Sequence, residues 1–202
     1  MVSSGARRPC ACSSAGVVDE RFRRQMVNYN GSEAAGTIVI DTPNTFLYLV
    51  LGNGKAIRYG IGVGREGFTW AGTQSIARKQ EWPDWHPPAE MIERQPYLPR
   101  MMAGGPGNPL GARAMYLGNT MYRIHGTNAP DTIGKRVSSG CIRLTNEDIT
   151  DLFDRVSIGA KVVVLPMNGH GVAHTQPAPV LRQRVSVNDA TAPRPPLSIR
   201  PY

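Results

Sequence analysis

The stretch "GTIVIDTPNTFLYLVLGNGKAIRYGIGVG", residues 36–64, decides the fold. It holds three runs of β-branched, aromatic and apolar residues, at 37–41, 46–51 and 56–63. Pro43-Asn44 separates the first two and Gly52-Asn53-Gly54 the second two. Both breaks are turn chemistry at hairpin spacing, so the stretch predicts consecutive paired strands. The "GIGVG" at its end lacks the Lys-Ser/Thr of a phosphate loop and opens no helix, so it reads as a Gly-rich strand.

Composition agrees with a β-rich domain. The chain has 202 residues, 41% of them hydrophobic, which suits one domain with its own core plus tails. Its 22 Gly and 17 Pro point to short elements joined by tight turns rather than a helical bundle. The formal charge is 23 − 15 = +8, which favours anionic partners. The basic residues are scattered and follow no nucleic-acid-binding motif, so nucleic acid is not expected as a partner. No run nears the ~18 apolar residues of a membrane span, so no transmembrane segment is expected. The opening "MVSSGARRPCACSSAGVVDE" shows no apolar signal-peptide core. Cys10 and Cys12 read as part of a leader, not as a disulfide framework or a metal site.

Farther along, residues 69–113 read as a long irregular loop carrying Trp82, Trp85, His86 and Tyr97, with "AEMIERQ" forming about two helical turns. "AMYLG" and "MYRIHG" read as strands. "LTNEDITDLFDRV" predicts a short helix, capped by Thr145 or Asn146, with Ile149, Leu152, Phe153 and Val156 as its apolar stripe. "KVVVLP" is a final strand. The expected organisation is a flexible leader at 1–30, a folded domain at 31–167 and a Pro-rich tail at 168–202. In that tail, His170 and His174 lie among Gly and Pro, which gives a metal pair little support.

The chemistry centres on "RVSSGCIRLTN", residues 136–146. Cys141 follows His125 by 16 positions, across a polar loop able to bring its ends together. An ordinary thiol, with a pKa of ~8.5, is mostly protonated at neutral pH, and an adjacent imidazole makes its thiolate available. Gly140 permits close backbone approach, its amide and that of Cys141 are candidate oxyanion donors, and Arg143 is a fork for a carboxylate. The plain structural alternative makes Cys141 a buried small hydrophobe, His125 a strand end and Arg143 a solvated cation. A cysteine flanked by Ser-Gly and Arg, downstream of His-Gly, favours catalysis.

These residues, "HGT…SSGCIRL", resemble the L,D-transpeptidase catalytic domain of the YkuD type. His125-Gly126, Ser138, Gly140, Cys141 and Arg143 match its signature; Ser139 stands where many members have His. The resemblance runs from about residue 36 to 166. It implies a mainly β fold, a mixed-sheet sandwich or barrel, with one short helix after the cysteine. It also implies Cys141 as nucleophile, His125 as base and acid, and the Gly126 carbonyl orienting the imidazole. The implied donor is a peptidoglycan stem peptide, which loses D-Ala to form a thioester. An amine acceptor then makes a 3→3 crosslink or attaches an envelope protein, whereas water gives carboxypeptidase action. A non-catalytic wall-binding module is the alternative of another class. No metal or organic cofactor is implied, and the location is the periplasm or cell envelope. Substrate contacts are expected from Arg143, Ser138 and Ser139, with Trp82, Trp85 and Tyr97 shaping the donor groove.

Overall fold

A computed structural model of the chain describes residues 18–168. In chain order its strands are β1 (Gln25–Asn28), β2 (Ile38–Asp41), β3 (Phe46–Gly52), β4 (Lys55–Gly60), β5 (Val63–Gly64), β6 (Gly72–Glu81), β7 (Arg113–Leu117), β8 (Arg123–His125), β9 (Arg136–Ser138), β10 (Ile142–Arg143) and β11 (Lys161–Val164). The helices are α1 (Ala89–Arg94) and α2 (Asn146–Arg155). Cys10, Cys12, His170, His174 and the Pro-rich tail lie outside the described residues, apart from Asn168 at its start.

The three runs of 36–64 form the antiparallel meander β2-β3-β4. Asn53 and Gly54 both take positive φ, 50° and 67°, the backbone that a two-residue Asn-Gly hairpin requires. The main sheet has the order β1-β4-β3-β2-β11-β6-β7-β8-β10 and mixes antiparallel pairs with the parallel pairs β2-β11 and β8-β10. β5 and β9 pair separately, in parallel. The mainly β, mixed-sheet expectation holds. The final strand, however, is not peripheral: β11 lies between β2 and β6 and joins the two halves of the sheet.

Strand alternation divides the apolar residues between two cores. Ile38, Ile40, Leu47, Leu49 and Tyr59 of the first half pack with Ile76, Met115, Leu117, Ile124 and Ile142 of the second, with Ile149 and Leu152 of α2, and with Val156 just past its end. The opposite faces of β2 to β4 bury Val39, Tyr48, Val50 and Ala56 with Phe22, Val27, Tyr29 and Ile133. α2 is capped as its sequence suggests: the Thr145 hydroxyl accepts the Asp148 amide at 3.1 Å. At the other end Lys79 donates to the Phe153 and Val156 carbonyls, satisfying acceptors that a helix terminus leaves open.

Two expectations need correction. The leader assigned to 1–30 is structured in its second part, where β1 pairs with β4 and Phe22, Val27 and Tyr29 are buried. Arg24 adds ion pairs to Glu147, Asp148 and Asp151 of α2 at 3.0–3.8 Å. Desolvation of the largely buried Arg24, Asp148 and Asp151 offsets much of their attraction, whereas a buried apolar side chain contributes about 1.5–3 kcal/mol, so the apolar residues do most of the anchoring. The irregular loop assigned to 69–113 begins with a ten-residue strand, β6. Only Ile76 of that strand is buried, so it carries no alternating apolar signal. Backbone bonds to β11 on one side and β7 on the other place it in the sheet.

Candidate active site

The site follows from the parallel register of two short strands. Ile142 pairs with Ile124 and Arg143 with His125. Ile124 and Ile142 point into the core. Their neighbours therefore face the other way, and Arg123, His125, Cys141 and Arg143 form a two-by-two array on one face. All four line a cleft of about 370 Å³.

The turn before β10 is held from inside. The Ser138 hydroxyl donates to the Cys141 carbonyl at 2.6 Å and accepts the Gly140 amide at 3.2 Å. Gly140 has φ +102°, and a Cβ there would lie 2.5 Å from the Tyr122 ring, so this position needs glycine. Trp70 stacks on Tyr122, with ring centroids 4.7 Å apart, and its indole N–H donates to the Gly140 carbonyl at 3.0 Å. The cysteine loop thus rests on an aromatic pair.

The His125 Nδ1–H donates to the Gly126 carbonyl at 2.6 Å, which leaves Nε2 as the basic nitrogen. Burial pushes the imidazole's pKa down to about 3, outweighing its bonds to the Gly126 and Leu110 carbonyls; Arg143 and Arg123 depress it further. Burial also pushes the Cys141 thiol up, opposed by the Arg123 guanidinium, the Arg123 backbone amide and Arg143. Among the described residues Cys141 is the one cysteine, and its thiol is free. Among the described residues no hydrogen bond joins it to His125. Burial thus disfavours charge on both groups.

A flap formed by residues 82–111 provides the other wall. Trp85 and Met102 exchange backbone hydrogen bonds, and α1 lies between them. Asn108, buried beneath, shares its amide group among the Pro83, Met102 and Ala103 carbonyls at 3.0–3.1 Å. Its Oδ1 accepts the Leu110 amide at 2.8 Å, next to the carbonyl that bonds His125. At the flap's return, the Asn146 Oδ1 accepts the Ala112 amide at 2.9 Å. A Cβ on Gly111 or Gly126 would fall within 2.3 Å of that oxygen, so both glycines make room for this crossing.

Trp85, Ser139, Cys141, His125 and Arg143 line the cleft. Trp82 and Tyr97 do not. Trp82 sits where the flap leaves β6, its amide bonded to Ala112, and Tyr97 is 80% exposed. Ser138 borders the cleft, but its hydroxyl is committed to the turn. The Gly140 amide, expected as an oxyanion donor, is likewise taken by Ser138. Arg123 was missed, although its place two residues before His125 across an apolar Ile marks it for the same strand face. Arg65 and Arg94 also line the cleft without any local motif to single them out.

The model of the L,D-transpeptidase catalytic domain family matches residues 35–164, and the chain belongs to that family. It is 40% identical over 137 residues to the probable L,D-transpeptidase ErfK/SrfK of Escherichia coli, covering 63% of this chain and 43% of that protein. The chain thus spans less than half the length of this relative. A crystal structure from Brucella melitensis, described as a probable carnitine operon oxidoreductase, is 51% identical with a TM-score of 0.50, over 73% of this chain and 96% of that one. An L,D-transpeptidase from Mycobacterium smegmatis shares the fold at 19% identity, with a TM-score of 0.53, over 66% of this chain and 59% of that one.

Proposed function

We propose that this chain is a cysteine-dependent L,D-transpeptidase acting on peptidoglycan stem peptides in the periplasm or cell envelope. The observation that carries this reading is the array on β8 and β10, which sets a thiol and a correctly tautomerised imidazole on one face of a cleft with two arginines.

The proposed sequence begins when the donor excludes water from the cleft. His125 Nε2 takes the Cys141 proton as the sulfur attacks the carbonyl of the third stem residue. The Gly126 carbonyl, accepting from Nδ1, stabilises the imidazolium that forms. Among the described residues the Cys141 amide makes no hydrogen bond, and it is the backbone donor proposed for the oxyanion. The C–N bond to D-Ala then breaks, and the imidazolium returns its proton to the departing amine. An acceptor amine gives up a proton to His125 and displaces the thiolate, forming a 3→3 crosslink or a link to an envelope protein. Water in its place gives a tripeptide.

The test is mass spectrometry of products from a diaminopimelate-containing disaccharide-tetrapeptide, with Cys141→Ala as control. Crosslinked dimers and free D-Ala, both absent with the variant, support the transpeptidase. Tripeptide alone supports carboxypeptidase action. No Cys141-dependent product from folded protein counts against both.

A further inference from the structure

The cleft has a one-sided charge that acyl transfer alone does not require. Four arginines from four separate segments reach it: Arg123 and Arg143 on the sheet floor, Arg65 on one wall and Arg94 on the flap. Among the described residues no Asp or Glu lines it, and Glu90 and Glu93 on the same helix as Arg94 stay outside. None of the four makes an ion pair among the described residues, whereas Arg24, Arg113 and Arg155 elsewhere all do. Arg65 is held over the Phe68 ring at 4.3 Å, with its backbone amide fixed to the Ser138 carbonyl, so its fork is positioned in advance. The Arg123 Nε–H is buried and has no acceptor among the described residues. Unpaired cations converging from several sides, without a counter-charge from the protein, fit a ligand that carries its own anions on separate arms.

Resting on the transpeptidase reading, we propose that the cleft selects acyl donors bearing several ionised carboxylates. Arg65 and Arg94 bind those remote from the scissile bond. A stem peptide with amidated side-chain carboxylates is then a poor donor, because an amide gives up the charge-assisted bidentate bond and turns an N–H toward a cation.

The experiment compares a disaccharide-tetrapeptide with free carboxylates against the same compound amidated on its diaminopimelate and isoglutamate carboxylates. Binding is measured calorimetrically to the Cys141→Ala protein, and turnover with the unmodified chain. The free form is expected to bind roughly tenfold or more tightly per carboxylate, the usual scale of a charge-assisted bond. The preference should shrink as salt rises. Introducing Arg65→Gln and Arg94→Gln together should weaken the free form while leaving the amidated form nearly unchanged. Equal binding of the two compounds, or a preference that survives the double substitution, overturns the proposal. If neither compound turns over while the binding preference persists, the transpeptidase reading fails and the carboxylate selectivity stands.

Discussion

Arg143 lies directly opposite His125 in the parallel pairing of β10 with β8, two residues past Cys141. A fixed positive charge thus flanks both the imidazole and the thiol. It opposes protonation of the imidazole and favours the thiolate, while burial opposes charge on both.

That balance sets the pH dependence of the thiol. Burial is the larger influence, so alkylation of Cys141 by iodoacetamide, followed by peptide mapping, should rise with pH through an inflection above the ordinary ~8.5. Arg143→Gln removes a charge that favours the thiolate, so the inflection should move higher and the rate at pH 7.5 should fall, by about tenfold for each unit moved. An inflection near pH 6 would instead indicate a preformed thiolate–imidazolium pair.

Acid should destabilise the domain through His125. Its pKa is about 3 in the folded chain and ordinarily ~6.5 when unfolded. Below pH 6.5 the unfolded chain takes up a proton that the folded chain refuses. Stability is therefore full above that pH and falls between about 6.5 and 3, with a slope of at most ~1.4 kcal/mol per pH unit. Urea midpoints from pH 7 to 4 should drop more steeply for the unmodified chain than for His125→Gln. Parallel curves would remove His125 as the cause.

Gly140→Ala should abolish acyl transfer and lower stability. It forces a side chain onto φ +102° and against the Tyr122 ring, a strain of about 1–3 kcal/mol before repacking. Adding Tyr122→Ala relieves the clash but not the backbone strain, so thermal stability should recover only in part. A single variant with unchanged Tm and turnover would show that the turn relaxes freely.

Asn108 offers a test of the flap. Asn108→Ala leaves buried carbonyls without their donor and frees the Leu110 amide, at roughly 1–3 kcal/mol for each unmet group. Hydrogen exchange should accelerate across 82–111 while β2, β3 and β11 stay protected, and KM should rise. Uniform acceleration over the whole domain would make Asn108 a general core residue rather than the flap's anchor.

Much of this architecture was legible because apolar residues reported it directly. The meander at 36–64 and the stripe of α2 carry their burial in their composition, and the spacing of His125 and Cys141 carried the site. β6 escaped because a central strand with polar faces is recognised by its backbone partners, not its side chains. β1 escaped because three apolar residues among arginines resemble an exposed segment until Phe22, Val27 and Tyr29 meet the outer face of β3 and β4. Within the loop, Trp82 and Tyr97 drew notice by type, yet position decides. Trp85 reaches the cleft, and Trp70, outside the Trp82–Tyr97 cluster, supports the cysteine turn. Arg65, Arg94 and Arg123 are distant in sequence, and only the folded chain brings them together.

In the proposed reaction Cys141 forms a thioester with the donor, with His125 as its base. Intact-protein mass spectrometry under acid quench, within the first turnover with the tetrapeptide donor, tests it most directly. The expected result is an adduct equal to the donor minus D-Ala, mapped to Cys141, strongly reduced in His125→Ala and absent in Cys141→Ala. Turnover with no adduct on Cys141, or an adduct that forms equally fast without His125, would contradict it.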